Sequence, residues 1–217
     1  MKKFVFILTA LLFGFQVLAF SQSKIARIEY LTDFSKIKNS TSITFYGWDF
    51  RHLIFSDHSL NNYRDINSWI IPGWLDYFDK YNSGTHFMSK SFKKKKFIVD
   101  TLSIQPLVYK VDRMHFEDNM DKRNLSIDSI KFIVKKYNVT GEGLGLIIIA
   151  DEVRKSDVTS TAFVTIFDIT SKDVIYIYKI TGIAGGSYGL IAFYGRGWID
   201  VIRSFSVFYN ELYLFQP

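Results

Sequence analysis

The sequence predicts an α+β domain: a mainly antiparallel sheet of about five or six strands with three helices, ending in a three-stranded meander and a C-terminal helix. Three observations predict it. Leu144 to Ala150 is an unbroken apolar run, the pattern of a central strand. Two β-rich segments follow it directly, joined by Thr170-Ser171-Lys172, so strands are consecutive here rather than alternating with helices. Three other segments carry apolar residues at steps of three and four, the helical period.

The first residues read as an address. Lys2 and Lys3 precede an apolar run from Phe4 to Phe15, and small residues follow at Ala19 and Ser21, the layout of a secretory signal peptide. Cleavage after Ser21 leaves Gln22 as the new terminus, and cleavage after Ala19 is the neighbouring option. The apolar stretch, about 12 residues, is shorter than the roughly 20 a spanning helix needs, and no later segment is apolar for that long. The division predicted is therefore a signal peptide over 1–21, an N-terminal arm or first strand over 22–42, and a single α+β domain over 43–217. The destination is the periplasm or the exterior of a Gram-negative bacterium.

Ile25 to Tyr30 can form a short first strand. Residues 43–56, rich in aromatic and β-branched types, read as a strand bent at Gly47, with Ile43 and Phe45 on one face and Thr44, Tyr46 and Trp48 on the other. Ile66, Trp69, Ile70, Trp74, Tyr77, Phe78 and Tyr81 then trace one helix face. Pro72 either kinks that helix or marks where its regular part begins, and Asn82-Ser83-Gly84 ends it. A polar loop leads to Lys93-Lys94-Lys95-Lys96, then to short strands at Phe97–Leu102 and Leu107–Val111 and a polar stretch from His115 to Asn124. Ser126 is a good N-cap for a helix over 127–138, with Asp128 at its positive end and an apolar face that includes Ile130, Phe132, Ile133, Val134 and Tyr137. After the central strand come a charged connection, Asp151 to Asp157, then strands Thr159–Asp168 and Asp173–Thr181. The glycine joint at Gly182, Gly185, Gly186 and Gly189 leads into a closing helix through Ile191, Trp198, Phe205 and Leu212.

Composition narrows the chemistry. The chain has 217 residues and no cysteine, which excludes thiolate nucleophiles, Cys-ligated zinc, iron–sulfur clusters and stabilising disulfides. Its formal charge of +6 includes Lys2 and Lys3, so the chain after residue 21 carries 25 Lys+Arg against 21 Asp+Glu, or +4.

Several features could carry chemistry. A strand, a glycine-rich turn and a helix are the layout in which backbone N–H groups cradle phosphate, but the spacing around Gly182 to Gly189 fits neither standard nucleotide loop. A tight turn with close helix–sheet packing explains those glycines equally, and Gly195 and Gly197 with them. For a hydrolase the candidates are Asp151, Glu152, Ser187 and His52: carboxylates at a strand end, a serine beside a glycine pair, and a histidine able to serve as base in a Ser187–His52–Asp168 arrangement. None sits in a GxSxG elbow. The four histidines, His52, His58, His86 and His115, show no metal-ligand spacing, and no metal or cofactor is expected. Lys93, Lys94, Lys95 and Lys96 could meet an anionic surface, or serve as a solvated guard at the start of a strand. Trp48, Trp69 and Trp74 either line a groove or fill the core.

The stretch from Ser126 to Trp198, with Gly-Leu-Gly-Leu-Ile-Ile-Ile-Ala, Phe-Val-Thr-Ile-Phe-Asp-Ile-Thr-Ser-Lys and Gly-Ile-Ala-Gly-Gly, resembles uncharacterised exported proteins of Bacteroidetes-type bacteria. The run of apolar strand, hairpin and final amphipathic helix is similar, more remotely, to periplasmic domains of the curli-secretion and penicillin-binding-protein-activator type. The resemblance implies an interaction module and brings no catalytic residue. The function expected is an exported binding or accessory module of the envelope with a protein or polysaccharide partner and no nucleic acid. The alternative is a secreted hydrolase of saccharide or ester bonds.

Overall fold

A strand buried on both faces must have neighbours on both edges, and the apolar run at 144–150 sits accordingly. The computed structural model describes residues 26–56, 66–80, 85–92, 94–104, 115–116, 125–186 and 189–215. Among them are eight strands in one mixed sheet: β1 (Ala26–Leu31), β2 (Ser42–Asp49), β3 (Ile54–Phe55), β4 (Lys96–Val99), β5 (His115–Phe116), β6 (Leu144–Arg154), β7 (Thr159–Asp168) and β8 (Val174–Ile183). The main path is β1-β8-β7-β6-β2-β4, with β3 pairing β6 and β5 beyond the end of β2. The pairings β1–β8, β8–β7 and β7–β6 are antiparallel, while β6–β2, β2–β4, β6–β3 and β3–β5 are parallel.

The predicted meander is therefore present as β6–β7–β8, and most paired residues are antiparallel. The strand count rises because β3 and β5 are two-residue pairings that no local pattern marks. The parallel half was not legible either, since β2, β4 and β6 come together only by long crossovers. The strand expected over 107–111, the loop from 57 and the signal segment lie outside the described residues.

Among the described residues five α-helices appear where three were predicted for the chain: α1 (Phe34–Asn39), α2 (Ile71–Lys80), α3 (Thr85–Phe92), α4 (Ile127–Lys135) and α5 (Leu190–Phe215). α1 forms in the expected arm, where Asp33 caps it by accepting from the Lys36 N–H. A π-helical turn, Ile66–Ile70, precedes α2, so Pro72 stands in the first turn of the regular helix, where its missing N–H costs least. In α4 Ser126 caps as expected, its hydroxyl accepting from the Ser129 N–H at 3.1 Å. Phe132 is not on the buried face. It lies about 200° around the helix from Ile130 and is 61% exposed, while Ile130, Ile133, Val134 and Tyr137 are buried.

α2, α3 and α5 pack together over one sheet face, and α5 lies on β7 and β8. The layer between is aromatic. Trp48 packs against Phe78, Phe50 and Trp198 at 5.0, 5.6 and 5.5 Å between ring centroids, and Trp74 meets Trp198 at 5.7 Å. Trp48 and Trp74 are buried, which removes the groove of aligned tryptophans; only Trp69 of the three is exposed.

Gly47 decides which residues face that layer. It has φ +94°, and the pairing of β2 with β6 slips between Phe45 and Trp48, so a bulge occupies Tyr46–Gly47. Simple alternation pairs Tyr46 with Trp48 on one face. The bulge separates them: Tyr46 stacks on Phe167 at 6.0 Å, and Trp48 turns to α5.

Candidate functional site

Of the expected charged connection, Asp151 to Asp157, the part as far as Arg154 continues as strand, because a second bulge between Ala150 and Glu152 breaks the β6–β7 register and keeps the polar residues in the sheet. β6 ends here beside β3, beyond the carboxyl end of β2, so this end of the sheet gathers most of the candidate residues.

Asp151 is 1% exposed. Its Oδ2 lies 3.2 Å from Nζ of Lys179 on β8, and its Oδ1 accepts from the Leu125 N–H at 3.4 Å. Lys179 reaches it over the face of Phe163, with Nζ 4.9 Å from the ring centroid. Burial pushes the Asp151 carboxyl above the ordinary aspartate range, and Lys179 partly offsets this. Glu152 turns to different partners. It accepts from the Ser56 hydroxyl and from Arg154, whose Nε and Nη2 stand 3.2 and 3.0 Å from its two oxygens.

The structure adds a constellation that sequence reasoning did not single out. Asp49, fully buried at the end of β2, accepts from the Arg51 backbone N–H at 3.0 Å and Nε at 2.9 Å through Oδ1, and from the Tyr137 hydroxyl at 2.7 Å through Oδ2. The Arg51 guanidinium also covers the Tyr137 ring, 5.6 Å from its centroid. Hydrogen bonding to Asp49 raises the Arg51 pKa further, and burial raises that of the Tyr137 hydroxyl, so the guanidinium stays charged and the phenol neutral. A signal was available. Asp49 is the one charged residue in β2, next to Trp48 and Phe50, and a charge among such residues needs a partner.

The sequence-predicted residues do not assemble as a triad. His52 is half-buried in the turn after β2, whereas Asp168 ends β7 opposite Leu144, at the other end of the sheet, and accepts from the Ser171 N–H. Ser187 and His58 lie outside the described residues, and His86 falls within α3. Among the described residues no group of three or more His, Asp or Glu side chains is placed to hold a metal ion.

The glycines of the joint divide into two kinds. Gly182, on β8, stands where α5 crosses: a Cβ there would lie 2.1 Å from the Gly197 carbonyl oxygen, and one on Gly197 would lie 2.5 Å from Ser160 Oγ. Gly195, expected beside the sheet, instead admits Tyr77 of α2, whose Cδ1 would lie 2.8 Å from an added Cβ. Gly185, Gly186 and Gly189 have φ of +101°, +72° and +84° and turn the chain from strand to helix. Asp200 reaches back from α5, its carboxylate accepting from the Ile183 N–H at 3.0 Å. The joint also holds the Arg196 guanidinium, whose Nη1 would lie 2.4 Å from a Cβ on Gly186.

Of the lysine run, Lys94 is half-buried and donates to the carbonyl oxygens of Ile37 and, at 3.2 Å, Lys38, closing the C-terminal end of α1. Burial lowers its pKa. Lys95 and Lys96 are exposed, and Lys93 lies outside the described residues. Among the described residues no helix is long and apolar enough to cross a membrane.

No protein-family model matches the chain, and no curated protein does. Among solved structures, similarity is found to the PelC dodecamer from Paraburkholderia phytofirmans. The TM-score is 0.37 at 8% identity, covering 84% of this chain and 95% of the PelC chain. A single-substitution variant of that dodecamer aligns with TM-score 0.34 at 9% identity, covering 83% of this chain and 96% of the other. At these values the likeness carries no argument about function.

Proposed function

We propose that this chain is an exported binding or accessory module of a bacterial envelope, acting through its surface. One observation carries the proposal: the carboxylates at the carboxyl end of the central strands are each engaged by a basic group of the same chain, Asp49 by Arg51, Asp151 by Lys179 and Glu152 by Arg154. A general acid or base must exchange a proton with a substrate, and a nucleophilic carboxylate must reach one. Asp151 and Asp49 are instead buried, and Glu152 is only 14% exposed at its side chain. The location of His52 and Asp168 at opposite ends of the sheet supports the same reading, as does the commitment of Trp48 and Trp74 to the core.

The export half is tested by expressing the full chain in a Gram-negative host, fractionating the cells and sequencing the N-terminus. A mature species beginning at Gln22 or Phe20 in the periplasmic or external fraction is expected. Recovery of the uncleaved chain in the cytoplasm refutes export. The binding half is tested by assaying the purified protein against chromogenic esters and glycosides. Turnover that Glu152→Gln or Asp151→Asn abolishes, with the circular dichroism spectrum unchanged, would establish the hydrolase instead.

A further inference from the structure

The topology collects lysines that are far apart in sequence at the end of the sheet opposite Asp151. β2, β4, β6 and β8 begin at this end and β1 and β7 finish there, as the pairs Ser42–Lys96, Ile43–Leu144 and Leu144–Asp168 fix. α1, with Lys36 and Lys38, runs from the end of β1 to the start of β2. Lys94, Lys95 and Lys96 adjoin it, tied by Lys94 to the α1 carbonyls and by the Lys96 N–H to the Thr41 carbonyl at 3.1 Å. The last turn of α4 brings Lys135 and Lys136, and Lys172, in the β7–β8 turn, donates to the Val139 carbonyl three residues further on.

Among the described residues these eight lysines share that end with Asp33, Glu142, Asp168, Asp173 and, in the last turn of α5, Glu211. Lys94 and Lys172 are spent on backbone carbonyls, but Lys36, Lys95, Lys96, Lys135 and Lys136 are exposed. Beside them stands Phe132, 61% exposed, with the Lys136 ammonium 4.0 Å from its ring centroid. A sugar stacks on an open aromatic face, and one face of Phe132 is already covered by that ammonium. An apolar ring fringed with lysines suits the boundary between headgroups and acyl chains.

We infer that this end of the sheet is a docking surface for an anionic lipid bilayer, with Lys36, Lys95, Lys96, Lys135 and Lys136 held against the headgroups and Phe132 entering the interface. The inference deepens the binding-module reading and rests on it.

The test uses the purified chain without its first 21 residues, as export would leave it, in co-sedimentation with phosphatidylcholine vesicles with and without phosphatidylglycerol, at low and high salt. Binding is expected only where phosphatidylglycerol is present, and it weakens as salt screens the lysines. Lys95→Gln with Lys96→Gln lowers the partition coefficient about fivefold per lysine, so about 25-fold together. Phe132→Ser lowers it further, and Lys155→Gln, in the turn at the opposite end, leaves it unchanged. Equal binding to both vesicles, equal loss from Lys155→Gln and the Lys95/Lys96 pair, or binding to heparin without binding to vesicles overturns the inference. Ester or glycoside turnover sinks the module reading separately, whatever the vesicles show.

Discussion

Replacing Asp49 by Ala tests whether the buried Asp49–Arg51–Tyr137 constellation holds the end of β2 in place. The change removes the acceptor of the Arg51 backbone N–H, of its guanidinium and of the Tyr137 hydroxyl, and leaves a guanidinium only 15% exposed without its counter-ion. Breaking one side of a buried pair costs about 3–5 kcal/mol. Arg51 can swing toward water, so the lower figure applies, about 3 kcal/mol. For a chain of this size that corresponds to a fall in Tm of about 6–12 °C. Asp49→Asn keeps an acceptor for the Tyr137 hydroxyl and loses only the charge, and should cost about half as much. Urea unfolding of Asp49→Ala, Arg51→Ala and the double variant, followed by far-UV circular dichroism, gives the pairwise coupling, expected to be at least about 1.5 kcal/mol. A coupling indistinguishable from zero, or an Asp49→Ala loss below about 1 kcal/mol, would refute the argument that the ion pair is structural.

The remaining predictions concern packing and pH. Gly182→Ala forces a methyl to within 2.1 Å of the Gly197 carbonyl and 2.9 Å of the Val201 nitrogen, both backbone, so α5 must shift; a loss of about 2–3 kcal/mol is expected, and a near-neutral melting curve contradicts the close crossing. Because burial raises the Asp151 carboxyl above 3.8 in the folded chain, the native state holds that proton more tightly than the unfolded state. Its contribution to stability is full below pH 3.8 and is lost as pH rises through the raised value. Asp151→Asn should flatten this part of the urea-stability profile, and an unchanged slope in the variant refutes the assignment. Trp198→Ala empties the centre of the aromatic layer and should cost about 3–5 kcal/mol, whereas Phe132→Ser should stay within about 0.5 kcal/mol by the same assay. Equal losses at the two sites would contradict the burial that separates them.

The elements legible from residue order are those written in local periodicities. The period-2 and continuous apolar runs placed β6, β7 and β8 within a few residues, and Ser126 with its 3.6-period face placed α4, because pairing of neighbours in sequence and capping are short-range events. The same patterns failed where a single backbone irregularity resets the phase. The bulge at Gly47 moved Trp48 to the opposite face from Tyr46, and the bulge at Asp151 carried the strand through charged residues that read as a loop. Asp151 and Glu152 were legible as candidates, but Lys179 and Ser56, their partners, are 28 and 96 positions away, and Arg51 and Tyr137 meet at Asp49 from different elements. Which carboxylates are engaged, how the parallel strands cross, and that lysines at 36, 95 and 135 share one end of the sheet all follow from the three-dimensional arrangement of the strands. Charges act through space, and the distances that govern them are set by the order of strands, which no local pattern encodes.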